Sequence, residues 1–218
     1  MFRTAAAASA LGAAALTIAA LTTGTASAEP SQKITPGTVV QSGNAATFTM
    51  VRSTAAEKAG CLGTATAKVR VTKLGDVEEL KIAATGLPKQ TGFDLFVLQT
   101  PDLPFGVSWY QSDLRSDKNG NAFVAVRGRF NEETFSISPG PAPVVQTHPG
   151  LDATGSSPTF KPIHQYHLGF WFNSPADAVK AGCPGTVTPF NGEHDAGTQA
   201  MSTRNFPAGQ GPLGEIEG

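Results

Sequence analysis

Apolar and polar residues alternate at a period of two through most of the chain between residues 46 and 202. In segments 65–71 and 79–84, every second residue is Ala, Val, Leu or Ile, and the residues between them are polar or small. This spacing places the apolar side chains on one face of an extended strand, whereas a helix needs them three and four residues apart. Gly, Pro and Asn separate the runs, which predicts short strands joined by turns. The chain is therefore predicted to be all-β, an antiparallel immunoglobulin-like β-sandwich.

Local signals add one turn and a small amount of helix to this prediction. Asn119 and Gly120 lie between two predicted strands and tolerate positive φ, which favours a tight hairpin turn. Ser174, Pro175 and Gly182 are typical of the N-cap, the first position and the end of a short helix. We expect one or two short helices of this kind.

Composition divides the chain into four segments and one long loop. We expect a signal peptide at 1–28, an N-terminal arm at 29–45, the β-sandwich domain at 46–203 and a flexible C-terminal tail at 204–218. Within the domain, residues 139–162 contain six prolines and three glycines and form a Pro-rich loop. We interpret this loop as a crossover along the surface of the sandwich, and a functional or mobile loop is the alternative.

The N-terminal segment has the three parts of a secretory signal peptide. Arg3 precedes an uncharged stretch rich in Ala and Leu, and Ala26-Ser27-Ala28 matches the small-residue pattern that signal peptidases cleave. The alternative is a membrane anchor, but about 17 residues of mostly Ala are marginal for spanning a bilayer. We expect a secreted, extracellular protein that has no integral membrane segment after cleavage.

The chain contains two cysteines, Cys61 and Cys183. An exported protein meets an oxidising compartment, so we predict that they form a disulfide, with two buried free thiols as the alternative. Segments 56–66 and 178–188 are identical at eight of eleven positions, each with its cysteine after a glycine. We expect two equivalent turns that meet at the disulfide, and chance similarity in an Ala/Gly/Thr-rich chain is the alternative.

Charge and motifs exclude several classes of function. The formal net charge is −1, which gives no electrostatic reason to expect a nucleic-acid partner. The sequence has no G-x-S-x-G, P-loop, dinucleotide, H-E-x-x-H or C-x-x-C motif. Asp117 and Asn119 resemble a calcium loop, but Arg115 and Val126 then occupy ligand positions and cannot bind calcium. We predict no catalytic residue and no cofactor.

Aromatic and histidine side chains supply the residues of a candidate ligand surface, although we favour ordinary sandwich core for the aromatic ones, with a carbohydrate-stacking platform as the alternative. The candidate residues are Trp109, Tyr110, Trp171, His167 and His194. All four histidines lie in the C-terminal half, and together with Glu193 and Asp195 they have the ligand chemistry of a zinc or copper site. On a strand, however, His164 and His167 point to opposite faces. We therefore predict no metal ligands.

Five segments resemble a group of uncharacterised exported β-sandwich proteins of high-GC Gram-positive bacteria, and this resemblance extends over most of the chain after residue 28. The segments are 93–97, 104–110, 129–130, 167–173 and 190–194. Residues 86–97, followed by the turn at 117–121, are also similar to bacterial immunoglobulin-like modules. The resemblance implies export and a β-sandwich, and it implies no particular activity.

These observations favour a secreted extracellular binding or structural β-sandwich protein with a cell-wall or other extracellular ligand. Two alternatives stay open. One is an extracellular metal-binding protein that holds zinc or copper through His, Asp and Glu. The other is a secreted hydrolase whose carboxylates are brought together only by the fold.

The signal-peptide hypothesis predicts cleavage between Ala28 and Glu29, because Ala26 and Ala28 supply the small residues that the peptidase requires. N-terminal sequencing of the secreted product checks this directly. A mature protein that retains Leu16 would contradict the hypothesis.

Overall fold

The structure is a computed structural model, and it describes residues 35–130, 164–189 and 194–216. These residues all belong to the compact unit Lys33–Gly218. Several sequence predictions lie outside the described residues: the signal peptide at 1–28 with its cleavage site, the start of the arm, the Pro-rich loop at 139–162, His148, Glu193 and the last two residues.

Strands dominate the described residues, and the helices there are short. The strands are β1 (Val40–Ser42), β2 (Ala45–Arg52), β3 (Thr66–Lys73), β4 (Glu78–Thr85), β5 (Gly92–Leu98), β6 (Ser108–Arg115), β7 (Ala122–Gly128), β8 (His167–Phe172), β9 (Thr188–Pro189), β10 (Asp195–Ala196) and β11 (Gln199–Ser202). The helices are α1 (Thr54–Lys58), α2 (Pro175–Lys180) and a 3-10 helix (Pro212–Glu215). The predicted all-β class with few short helices is confirmed.

The main sheet is nearly closed. Its strand order is β6-β5-β8-β11-β2-β3-β4-β7, and β1 pairs with β2 beside this path. Every strand pairing in the described part of the chain is antiparallel. A single bridge between Ser116 and Ala122 connects the two ends of the path, where β6 turns into β7. The immunoglobulin-like detail stays a prediction.

The turn from β6 to β7 has the predicted tight geometry. The carboxylate of Asp117 accepts hydrogen bonds from the backbone N–H groups of Asn119 (2.7 Å) and Asn121 (2.9 Å). These bonds lower the pKa of Asp117, because they stabilise its ionised form. Gly120 has φ of +82°, and a Cβ there would lie 2.3 Å from the carbonyl oxygen of Leu87. Only glycine fits this position, so the turn is fixed by local chemistry.

The predicted apolar faces of β3 and β4 point into one large core, which also takes in the inner face of β5. The inward residues of β5 are Phe93, Leu95 and Val97. The opposite face of this strand is covered as well, because Leu98 packs in a second, smaller cluster with Trp171 and Ala196. The sheet around β5 and β8 is therefore buried on both sides.

The predicted disulfide is confirmed: Cys61 and Cys183 are bonded, with their Cα atoms 5.3 Å apart. Each cysteine follows a glycine of positive φ that ends a short helix. The N–H of Cys61 donates to the carbonyl of Ala56, and the N–H of Cys183 donates to the carbonyl of Ala178. The repeated sequence therefore encodes the same helix-ending turn twice.

The C-terminal segment differs from the flexible tail predicted at 204–218. Phe206, Leu213 and Ile216 are buried in the large core, and the ring of Phe206 lies edge-on to Phe48 at 6.0 Å. The Gly- and Pro-rich composition suggested a frayed end. These three apolar side chains bury enough surface to hold the described part of the segment, 204–216, against the sheet.

The packed C-terminal segment generates a stability prediction. Leu213→Ala should lower the free energy of unfolding by about 2–5 kcal/mol, because it leaves a cavity at a fully buried position. Leu103→Ala is the matched control, because Leu103 is 80% exposed, and it should change the free energy by less than about 0.5 kcal/mol. Urea denaturation of both variants measures the difference. Equal effects would show that the segment is unpacked in solution.

Candidate ligand-binding surface

The structure separates the five predicted ligand-surface residues into an exposed and a buried group. Trp109 is 55% exposed, Tyr110 is 39% exposed, and His194 is also at the surface. Trp171 and His167 are buried. A ligand can therefore reach three of the five residues. Trp109 and Tyr110 point to opposite faces of β6, however, because Trp109 pairs with the core residue Val97 and Tyr110 pairs with Phe96.

His167 has a structural role at the start of β8. Its Nε2 lies 3.1 Å from the carbonyl oxygen of Ala208, and its Nδ1 lies 2.9 Å from the hydroxyl of Thr203. A carbonyl only accepts, so Nε2 carries a proton and donates to Ala208. The ring thereby ties the C-terminal segment to the sheet.

Trp171 belongs to an aromatic layer on the outer face of β5 and β8. Its indole packs edge-on against Phe96 at 5.3 Å and against Phe105 at 4.9 Å. Phe96 in turn contacts the ring of Tyr110 at 5.9 Å. Edge-to-face aromatic contacts hold rings in fixed orientations. The exposed ring of Tyr110 therefore packs against aromatic side chains whose orientations are fixed.

Asp94 is an unusual member of this layer. It lies directly opposite Trp171 of β8 and Asp113 of β6 in the strand register. Its side chain is 1% exposed, and neither carboxyl oxygen has a hydrogen-bond partner among the described residues. The imidazole of His194 is close by, with its Nε2 3.9 Å from Oδ2 of Asp94. Buried polar groups are normally hydrogen-bonded, so this carboxyl needs an explanation beyond folding.

Burial raises the pKa of Asp94 to about 6, because the ionised form loses its hydration. The imidazole of His194 acts in the opposite direction, and the negative charge of Asp113 adds to the increase. Near neutral pH, the carboxyl can therefore change between a hydrogen-bond donor and a pure acceptor with a small change in its surroundings.

Tyr110 and Asp113 form a fixed pair above Asp94. The phenol hydroxyl donates to Oδ1 of Asp113 at 2.8 Å. The pKa of Tyr110 is raised to about 12, mainly by burial. The hydrogen bond to Asp113 and the charges of Asp113 and Asp94 contribute to this increase. The phenol therefore stays protonated and oriented. Its exposed ring face remains the part that a ligand can contact.

The sequence analysis did not single out Asp94 or Asp113. A signal for Asp94 was present, because it is the only charged residue in the run 93–98, which is otherwise apolar on both faces. A charge on a central strand is expensive to bury without a partner. No comparable signal marks Asp113, whose place beside Asp94 depends on the pairing of β5 with β6.

Within the described ranges, no three His, Cys, Asp or Glu side chains are arranged to hold a metal ion. A metal site that includes His148 or Glu193 would involve residues outside these ranges. None of the helices in the described part of the chain has the length and apolar character needed to cross a membrane.

Comparison with known proteins gives no match, either to a protein-family model or to a curated protein.

The raised pKa of Asp94 predicts an unusual dependence of stability on pH. The folded pKa of about 6 lies above the unfolded value of 3.8, so the native state retains a proton that the unfolded chain has lost. The stabilisation is complete below the unfolded pKa and disappears as the pH rises through the folded pKa. Relative to Asp94→Asn, the wild type should lose about 2–3 kcal/mol between about pH 4 and pH 7.

Urea unfolding of the wild type and of Asp94→Asn across this pH range checks the prediction. Asp76→Asn is the matched control, because Asp76 is an exposed turn residue. The comparison is then repeated with His194→Gln added to both proteins. This substitution removes the imidazole that lowers the pKa of Asp94, so the loss of stability with rising pH, relative to the Asp94→Asn protein, should become larger. Parallel stability curves for the wild type and Asp94→Asn would refute the raised pKa.

Proposed function

We propose that this protein is a secreted extracellular binding protein whose ligand rests on the surface formed by Tyr110, Asp113 and His194, the aromatic-acidic surface. The observation that carries the proposal is the carboxyl of Asp94 directly below it. This carboxyl is buried, and the described residues offer it no hydrogen bond. An unsatisfied buried group destabilises a fold by about 1–3 kcal/mol, which favours a role in binding over a role in folding.

Secretion is supported by the signal-peptide pattern in residues 1–28 and by the disulfide between Cys61 and Cys183. Structural disulfides form and persist mainly in oxidising compartments. A cell-wall or other extracellular ligand fits this location.

The chemistry of the surface favours a neutral carbohydrate. The exposed ring of Tyr110 offers an apolar face on which a sugar ring can stack. The carboxylate of Asp113, which lies beside the buried carboxyl of Asp94, supplies an acceptor for sugar hydroxyls. The two acidic groups also disfavour a polyanion at this surface, because like charges repel.

The binding proposal predicts that the purified protein cosediments with at least one insoluble polysaccharide among cellulose, chitin and peptidoglycan. Tyr110→Ala should weaken that binding about tenfold, a loss near 1.4 kcal/mol, because the exposed ring of the surface is removed. Phe123→Ala is the matched control: Phe123 is a 64% exposed aromatic on β7, outside the surface, and its variant should bind as the wild type does. Binding that is insensitive to Tyr110→Ala, or no binding to any of the three, would contradict the proposal.

A second candidate function is a secreted hydrolase, and the placement of Asp94 opposite Asp113 favours it. One carboxyl is buried with a raised pKa and the other is exposed, an arrangement that can provide a proton donor and a second carboxylate. Release of reducing sugars from the same polysaccharides tests this candidate. If both Asp94→Asn and Asp113→Asn abolish release but retain cosedimentation, hydrolysis replaces simple binding as the function.

A further inference from the structure

A groove lies on the outer face of β2, β3 and β4, away from the aromatic-acidic surface. Its volume is about 770 Å³, within the size range of sites for small ligands. Thr49, Lys68 and Ala83 are neighbours across the three strands and form its floor. The segment Arg204-Asn205 and Glu57 of α1 contribute to its lining. The groove is thus assembled from parts that are distant in sequence.

The charges that line the groove are mostly positive. Arg52, Lys68 and Arg204 face one acidic residue, Glu57. The carboxylate of Glu57 is already paired with the guanidinium of Arg204. Nη1 of Arg52 donates to the carbonyl of Cys61 at 3.1 Å. These contacts hold both arginines in place and leave the groove with an excess of positive charge.

Lys68 lies at the centre of this floor and is solvent-exposed. It forms no ion pair with any residue in the described ranges. Its neighbour on β4 is Ala83, whose single methyl group leaves the space beside the ammonium open. An anionic group that enters the groove can therefore reach Lys68 without displacing an existing partner.

Two buried polar atoms in the lining of the groove have no hydrogen-bond partner among the described residues: Oγ1 of Thr49 and Oδ1 of Asn205. Asn205 is held in place because its Nδ2 donates to the carbonyl of Thr49 at 3.2 Å. Such orphaned atoms are uncommon in folded proteins. Contact of this hydroxyl with a ligand would require Thr49 to change its χ1 rotamer.

A hydroxyl pair completes the polar lining. The hydroxyls of Thr66 on β3 and Thr85 on β4 lie 2.9 Å apart and are exposed. Hydroxyls both donate and accept hydrogen bonds, so this pair suits a ligand that is itself rich in hydroxyl groups. The groove thus combines an open ammonium with several hydroxyl and amide partners.

We propose that this groove is a second ligand site and that it binds an acidic saccharide. In this arrangement the ligand's carboxylate meets the ammonium of Lys68, and its hydroxyls bond to Thr49 and Asn205. Charge-assisted bonds of an ammonium to a carboxylate are among the stronger hydrogen bonds in proteins. The site is independent of the aromatic-acidic surface, so either assignment can fail without the other.

Isothermal titration of the full disulfide-bonded protein with trigalacturonate, and with the neutral galactotriose, tests the proposal. Trigalacturonate should bind at least about tenfold more tightly, and its affinity should fall as salt is added. Lys68→Gln should weaken trigalacturonate binding about tenfold. Lys118→Gln is the matched control, because Lys118 is an exposed lysine in the turn at 117–121, and it should leave the affinity unchanged.

A second variant separates binding from folding. Thr49→Val keeps the shape of the side chain and removes a hydroxyl that has no described partner, so the melting temperature should be unchanged or higher. Its trigalacturonate affinity should nevertheless fall several-fold. Tyr110→Ala should bind trigalacturonate as the wild type does, which keeps the two sites distinguishable.

Three outcomes would overturn the proposal. They are the absence of trigalacturonate binding to the wild type, equal effects of Lys68→Gln and Lys118→Gln, and equal affinity for the neutral trisaccharide. Inorganic phosphate serves as a further probe. If phosphate binds as tightly as trigalacturonate and competes with it, the groove is a general anion site and the saccharide assignment is wrong.

Discussion

The burial of β5 and β8 on both faces is the constraint on which the rest of this structure depends. Strands that are apolar on two sides must be covered twice. The large core covers one face, and the small cluster with Phe105 and Ala196 covers the other. Asp94 lies on this second face, so the covering layer that keeps Leu98 from water also removes solvent from its carboxyl. The chemical character of the aromatic-acidic surface follows from this packing.

Local patterns in the sequence were sufficient for the parts of the fold that short-range chemistry determines. The alternation in β3 and β4, the Asn119-Gly120 turn and the helix that begins after Ser174 all depend on neighbours a few residues apart. The disulfide was predictable because two cysteines leave only one pairing within the chain. For these features, residue types and their spacing in the sequence are enough to predict the structure.

The candidate site was less predictable because it depends on register and on contacts between distant segments. Asp94 meets His194 across about 100 residues of chain, and no local pattern encodes that approach. Sandwich core was the favoured interpretation of Trp171 and a ligand surface the alternative, and the residue lies in strand β8, which is apolar on both faces in the same way as β5. Applying the two-face criterion to both strands would have placed Trp171 inside. The C-terminal segment was also difficult to predict. Its composition is typical of a loop, but a few apolar side chains pack into the core and hold it against the sheet.

The near-zero net charge of the chain conceals two surfaces of opposite character. On one outer face, Asp113 lies beside a buried carboxyl, and on the other, a groove is lined by Lys68, Arg52 and Arg204. A sum over the sequence cannot reveal such a separation, because the local field depends on which residues share a face. The fold thus provides two chemically distinct environments on a single scaffold.

The disulfide also gives the chain an unusual covalent topology. The loop that it closes contains β3 to β8, whereas β2 and β11 precede and follow it in sequence. In the sheet, β2 and β11 pair with each other and lie between β3 and β8. A protease that cuts once anywhere between Cys61 and Cys183 therefore releases no fragment. The two pieces remain one molecule until the disulfide is reduced, so a sample of full apparent mass can consist of nicked chains.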